Sequence, residues 1–158
     1  MLYPEHIFES KLKFSLIREW IEEDCLTIMG REKVQKIHFS TNADQIKAWQ
    51  EQTEIFKHLL DSDGLYPRIF FEDIRPSLKK AAVPNAFVEP EELLHIREML
   101  HLSNQWYEFF EDDETELYSK LNVAQPALES RDYLIDMIIE VIDSKGEIRN
   151  DASERLQE

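Results

Sequence analysis

Only three glycines, Gly30, Gly64 and Gly146, occur in 158 residues, well below the roughly 7% of an average chain. Tight hairpins and phosphate-cradling loops need backbone that glycine supplies most readily, either at positive φ or with no Cβ in the way. A chain this poor in glycine is a weak candidate for a many-stranded β fold, whereas helices joined by short polar loops tolerate the shortage. Apolar residues make up 42%, with nine Phe and three Trp, so a core can form despite the high charge. The length suits one compact domain, or one with a helical extension.

Periodicity points the same way, to an all-α, multi-helix, bundle-like domain. Phe14, Ile17, Ile21, Cys25 and Ile28 recur at spacings of three and four, one face of a helix over about 13–28 that Gly30 can end. A short helix around 31–37 follows. Ser40 and Thr41 offer caps, with Asp44 as a box-like partner. Ile46, Trp49, Thr53, Phe56 and Leu60 mark the next helix. Pro67, Pro76, Pro84 and Pro90 break the stretch from Leu65, leaving room for one short helix near 75–82.

A helix over 91–110 carries Leu93, Ile96, Leu100, Ser103, Tyr107 and Phe110 on one stripe and spans roughly 30 Å at 1.5 Å per residue. Glu89, Glu91 and Glu92 place negative charge at its start. A further short helix is expected near 116–121, and a last strong one over 131–142 with Leu134, Ile138 and Val141 inward. Gly146 is the expected left-handed residue after its end. Asp151 and Glu154, three apart, form a start signal. The expected organisation is therefore a helical segment over 1–150 and the beginning of a further helix over 151–158, one that continues past Glu158.

The formal net charge is −15. So acidic a surface repels phosphate backbones unless a basic patch interrupts it, and the densest basic stretches, 31–36 and 75–80, hold three Lys or Arg each. Cys25 is the lone cysteine, so no intrachain disulfide is possible. No signal-like leader and no apolar run near 20 residues is present, so no membrane is involved and the expected location is cytoplasmic.

Motifs that could carry chemistry each have a plainer explanation. Glu92/His95 and Glu98/His101 have the Glu-x-x-His spacing of di-metal bundles, but both lie on one helix six residues apart and point some 120° away from each other. Asp61, Asp63 and Glu72 resemble calcium-loop ligands, yet Leu65 and Tyr66 stand where a ligand and a turn glycine are needed. The acidic run Glu111 to Glu114 reads as a solvated loop, and Cys25 as a small apolar side chain on its stripe. There is no Gly-x-x-x-x-Gly-Lys-Ser/Thr loop. Trp20, Trp49, Trp106, Tyr107, Phe109 and Phe110, without basic residues between them, read as packing or interdomain contacts. No catalytic, cofactor-binding or metal residue is assigned.

The order of segments is also distinctive. Tyr3-Pro4 leads to Lys13-Phe14-Ser15-Leu16-Ile17-Arg18, then Cys25-Leu26-Thr27-Ile28-Met29-Gly30-Arg31-Glu32 and Gln52-Thr53-Glu54. The tail runs Ile142-Asp143-Ser144-Lys145-Gly146-Glu147-Ile148-Arg149-Asn150-Asp151-Ala152-Ser153-Glu154-Arg155-Leu156. This resembles the N-terminal region of the MutS-like paralogue family, the recombination-suppressing, endonuclease branch, over essentially the whole chain. One departure is Asn150-Asp151 where the family more often has Asp-Asn.

The resemblance implies a non-catalytic first half of the core, or lever, domain of a MutS-type protein, relaying motion between an ATPase and a DNA-gripping clamp. It implies that residues 151–158 begin a lever helix, and that the mismatch-reading domain with its Phe-x-Glu wedge is missing. Phe70-Phe71-Glu72 and Phe109-Phe110-Glu111 match that pattern only by chance. No cofactor is implied for this segment; ATP and Mg, a dimer made through the ATPase, a C-terminal nuclease, and branched DNA or the ribosome as partners belong to the intact protein. The alternative from the charge alone is an independent acidic helical module that binds a basic partner.

Overall fold

The computed structural model describes residues 7, 9, 11–61, 66–67, 70–111, 121, 131–153 and 156. Among them the architecture is all helical, as the glycine shortage implied. The helices are α1 (Phe14–Glu23), α2 (Ile28–Gln35), α3 (Ala43–Leu60), α4 (Arg75–Ala81), α5 (Pro90–Glu111) and α6 (Asp132–Val141). The chain divides into two compact units, Met1–Gln50 and Glu51–Glu158.

In the first unit the single helix expected over 13–28 is broken. α1 stops at Glu23, and the Thr27 hydroxyl accepts the Gly30 N–H at 3.0 Å, starting α2 instead. Thr27 is extended (φ −128°, ψ 153°), as an N-cap must be. Gly30 thus sits in the first turn of a helix rather than after the end of one. The apolar stripe of α1 exists but no residue of that helix is buried. Leu16, Ile17, Trp20 and Ile21 are all exposed. Phe14 stacks obliquely on Phe39 at 4.9 Å, and Arg18 lies over the Phe14 ring while bonding Glu9 and the Ile37 carbonyl.

α3 starts one residue later than a Thr41 cap would place it and two later than a Ser40 cap. Asn42 Oδ1 accepts the N–H groups of Asp44 and Gln45 at 3.0 and 3.1 Å. An amide oxygen satisfies two of the orphan donors at once, so Asn42 wins the position. In the second unit the end of α3 buries Ile55 and Leu59 rather than the expected Thr53, Phe56 and Leu60, a rotation of about 100°, or one residue.

α4 and α5 form where Pro76 and Pro90 occupy first-turn positions, at which a missing N–H costs nothing. Between them Pro84 and Asn85, the latter at φ 62°, occupy the middle of a turn closed by the Ala86 N–H on the Val83 carbonyl, the residue pattern of a type II turn. Glu92 then works as the third residue of a capping box, accepting the Glu89 N–H at 2.8 Å. The same carboxylate takes Lys80 Nζ at 2.7 Å and the Ser77 hydroxyl at 3.3 Å, pinning α4 to the start of α5.

α6 packs on α5. Asn104 donates to Asp132 at 2.7 Å and accepts the Arg131 N–H, and buried Arg97 donates to the Asp143 carbonyl at 2.8 Å. Ile135 is buried and Val141 is exposed, so the inward arc of α6 is centred nearer Ile135 than the expected Leu134, Ile138 and Val141. After α6 the chain turns extended at Ile142, pairs Ile142 with Ile148, and closes a hook in which Asp143 Oδ1 accepts the Lys145 and Glu147 N–H groups. Gly146 has φ 82° in this hook, left-handed as expected. The helix near 116–121 falls, apart from Leu121, outside the described residues. Of the stretch 151–158, Asp151 to Ser153 are turn and bend.

Candidate functional site

The second unit holds an apolar pocket of about 390 Å³ lined by Phe56, Leu59, Phe71, Met99, Leu102, Ser103, Trp106, Phe110 and Leu121. Helical spacing builds it. Met99, Ser103, Trp106 and Phe110 recur at four, three and four on α5, so their side chains share one wall. Phe56 and Leu59 come from α3. The Trp106 indole stacks on Phe110 at 5.5 Å and 29°, and meets Phe109 edge-on at 5.5 Å, both favourable aromatic geometries.

Among the described lining residues, the Ser103 hydroxyl and the Trp106 indole N–H are the polar groups beside apolar and aromatic faces. Among the described lining residues no acid, base or cation stands beside that hydroxyl, so this lining suits apolar groups. Of the aromatics expected to pack in a core or against another domain, Trp106 and Phe110 line this pocket, and both, like Phe109 beside them, are half-buried.

The other sequence candidates are dispersed. Both Glu-x-x-His pairs lie on α5. Glu92 is committed to Lys80, Ser77 and its own cap, while Glu98 and His101 lie on the exposed strip of that helix. Among the described residues no group of three or more His, Cys, Asp or Glu gathers as a metal site would require. Cys25 is half-buried in the break between α1 and α2, its thiol donating to the Ile21 carbonyl, rather than part of a continuous helical stripe. Asp63, Gly64 and Leu65 of the calcium-like run, and Asp112 to Glu114, lie outside the described residues. Phe70-Phe71-Glu72 is non-helical and Phe109-Phe110-Glu111 ends α5. No helix among the described residues is long and apolar enough to cross a membrane. Arg97 escaped the sequence analysis, because a buried arginine on an apolar helix face has no periodic signature.

The strongest electrostatics are structural. The Arg75 guanidinium, bonded to both Asp73 oxygens at 2.8 and 2.6 Å, holds Asp73 down at about 2. Lys80 lowers Glu92, the Glu147 N–H lowers Asp143, and Arg149 lowers Asp151. Each folded value is depressed, so each contributes stability above the unfolded carboxylate value of about 4 and loses it as pH falls through the folded one. For Asp73 that window is about 4 to about 2. Asp73→Asn is therefore expected to melt below the wild type at pH 7, with the gap closing between pH 4 and 2. Melting curves followed by circular dichroism check this, and a gap unchanged at pH 2 would exclude the Asp73–Arg75 pair as its source.

The chain is similar to proteins of one name from several bacteria. Proteins named Endonuclease MutS2 from Geobacillus sp. (strain WCH70), Alkaliphilus oremlandii and Aquifex aeolicus are 32%, 26% and 28% identical over 148, 147 and 152 residues. Each match covers 92% of this chain and 18–19% of the relative. The chain thus spans about a fifth of the length of the curated relatives it matches. No protein-family model matches it, and no solved structure does.

Proposed function

We propose, from the premise that this chain is MutS2-related over most of its length, that it is a non-catalytic helical core segment of a MutS-type protein. The observation that carries this is the match of 92% of the chain to a stretch amounting to 19% of a protein named Endonuclease MutS2. Nuclease chemistry would then reside in the remaining four-fifths, as would ATP and Mg binding, dimerisation through an ATPase, and contact with branched DNA or the ribosome.

Two features of the structure support a segment that packs within a larger body. The faces of α1 and α6 leave Leu16, Trp20 and Ile21, and Tyr133, Met137 and Val141, exposed. Large apolar groups at helical spacing on one face normally meet a partner. What supports a relay role is mechanical: α5, at 22 residues, is a rod of about 33 Å held along its sides by side-chain hydrogen bonds, as a part that passes on a rigid-body displacement would be.

The test is activity by parts. The purified 158-residue chain is expected to neither cleave DNA nor hydrolyse ATP. A Geobacillus relative carrying this chain in place of its matched stretch is expected to keep its nuclease activity. Cleavage or hydrolysis by the chain alone, abolished by a substitution within it, would sink the proposal.

A further inference from the structure

We propose that the apolar pocket between the end of α3 and α5 docks the apolar face of a basic amphipathic helix from a partner protein. Its described walls come from α3, α5 and two further residues, Phe71 and Leu121, and they offer eight apolar side chains with a single hydroxyl. A small polar ligand would find too few directing groups there, whereas helix-in-groove recognition needs only pockets for apolar anchors spaced at i, i+3, i+4 and i+7. Trp106 and Phe110, stacked and half-buried, are the kind of aromatic anchors that dominate such interfaces.

The sign of the partner's charge follows from where the acid sits. Residues 1–50 hold 7 Lys or Arg and 8 Asp or Glu, a balance of −1, so the remaining −14 of the −15 belongs to residues 51–158, the unit that contains the pocket. A strongly acidic unit with an apolar pocket complements a helix with leucines on one side and lysines on the other. The same acidity opposes nucleic acid and a second copy of this chain.

The proposal rests on the pocket and its charge, not on the family. Loss of docking leaves the core-segment proposal standing, and catalysis by the chain would leave docking untouched. The probe is an 18-residue Leu/Lys peptide patterned at i, i+3, i+4 and i+7, labelled and titrated with the whole chain by fluorescence anisotropy. Saturable binding is expected, weakened at least tenfold by Phe56→Ser and absent with the matching Leu/Glu peptide. Phe56 is 41% exposed, so the fold is expected to survive its loss. Ser103→Lys, which sets a cation in the pocket, gives a second reading should Phe56→Ser fail to fold.

No saturable binding overturns the proposal, and so does equal binding by wild type and both variants, which would mean charge alone. A wild-type dimer that Phe56→Ser turns into a monomer would make the occupant a second copy. Capture of one peptide from the remaining four-fifths of the Geobacillus relative, lost in Phe56→Ser, would make it another part of the same polypeptide. Either result overturns an external partner.

Discussion

Ile142→Ala is expected to destabilise the second unit by about 2–5 kcal/mol, the usual cost of emptying a buried isoleucine site. Ile142 is fully buried, the most enclosed of the described apolar side chains together with Leu59. Its backbone leaves α6 for extended geometry (φ −122°, ψ 147°) and pairs with Ile148, so the site is fixed from both ends and cannot relax cheaply into the void. Urea unfolding of the whole chain, followed by far-ultraviolet circular dichroism, measures the loss. A change below about 1 kcal/mol would mean that the site collapses freely, contrary to close packing.

Gly146→Ala is expected to cost about 1–3 kcal/mol, for two separable reasons. Its φ of 82° is a region where an L side chain carries a penalty of about 1–2 kcal/mol. An added Cβ would also stand 3.0 Å from Leu94 Cδ2 and 3.3 Å from Leu94 Cβ. The Cβ of Leu94 cannot move without α5, so the clash is not relieved by a rotamer change alone. Combining the substitution with Leu94→Ala separates the terms: the contact with Cδ2 disappears in the double variant while the backbone penalty stays. A double-mutant cycle in urea gives the coupling, and strict additivity would show that the hook does not press on Leu94.

Helices with uninterrupted stripes and proline at the start were legible. The expected 91–110 and 75–82 stand against α5 at Pro90–Glu111 and α4 at Arg75–Ala81. The break between α1 and α2 was not, because Cys25 and Ile28 keep the same spacing across it. Periodicity records which face is apolar but not whether the backbone is continuous, and the deciding contact is one Thr27 hydroxyl on Gly30. The cap of α3 was missed for a similar reason: Ser40, Thr41 and Asn42 are all good caps, and only the reach of the Asn42 amide to two donors chooses among them.

The pocket was half legible. Its aromatics were visible on α5, but Phe56 and Phe71 come from elsewhere in the chain, and no local pattern announces that distant residues will share a wall. The face of α3 was misjudged by one residue because Phe56, apolar and in step with Trp49 and Leu60, is exposed while Ile55 and Leu59 are buried.

The exposed apolar sides of α1 and α6 also set how the molecule behaves as a colloid. Trp20 at 57%, Tyr133 at 60% and Met137 at 60% exposure would draw copies together. In dilute buffer the −15 charge keeps them apart, since the repulsion reaches about 30 Å at 0.01 M salt. At 1 M that reach shrinks to about 3 Å, shorter than a single side chain, while excluded salts such as sulfate strengthen apolar association. Ionic strength thus acts as a dial between dispersion and clustering, with the acidic surface as its spring.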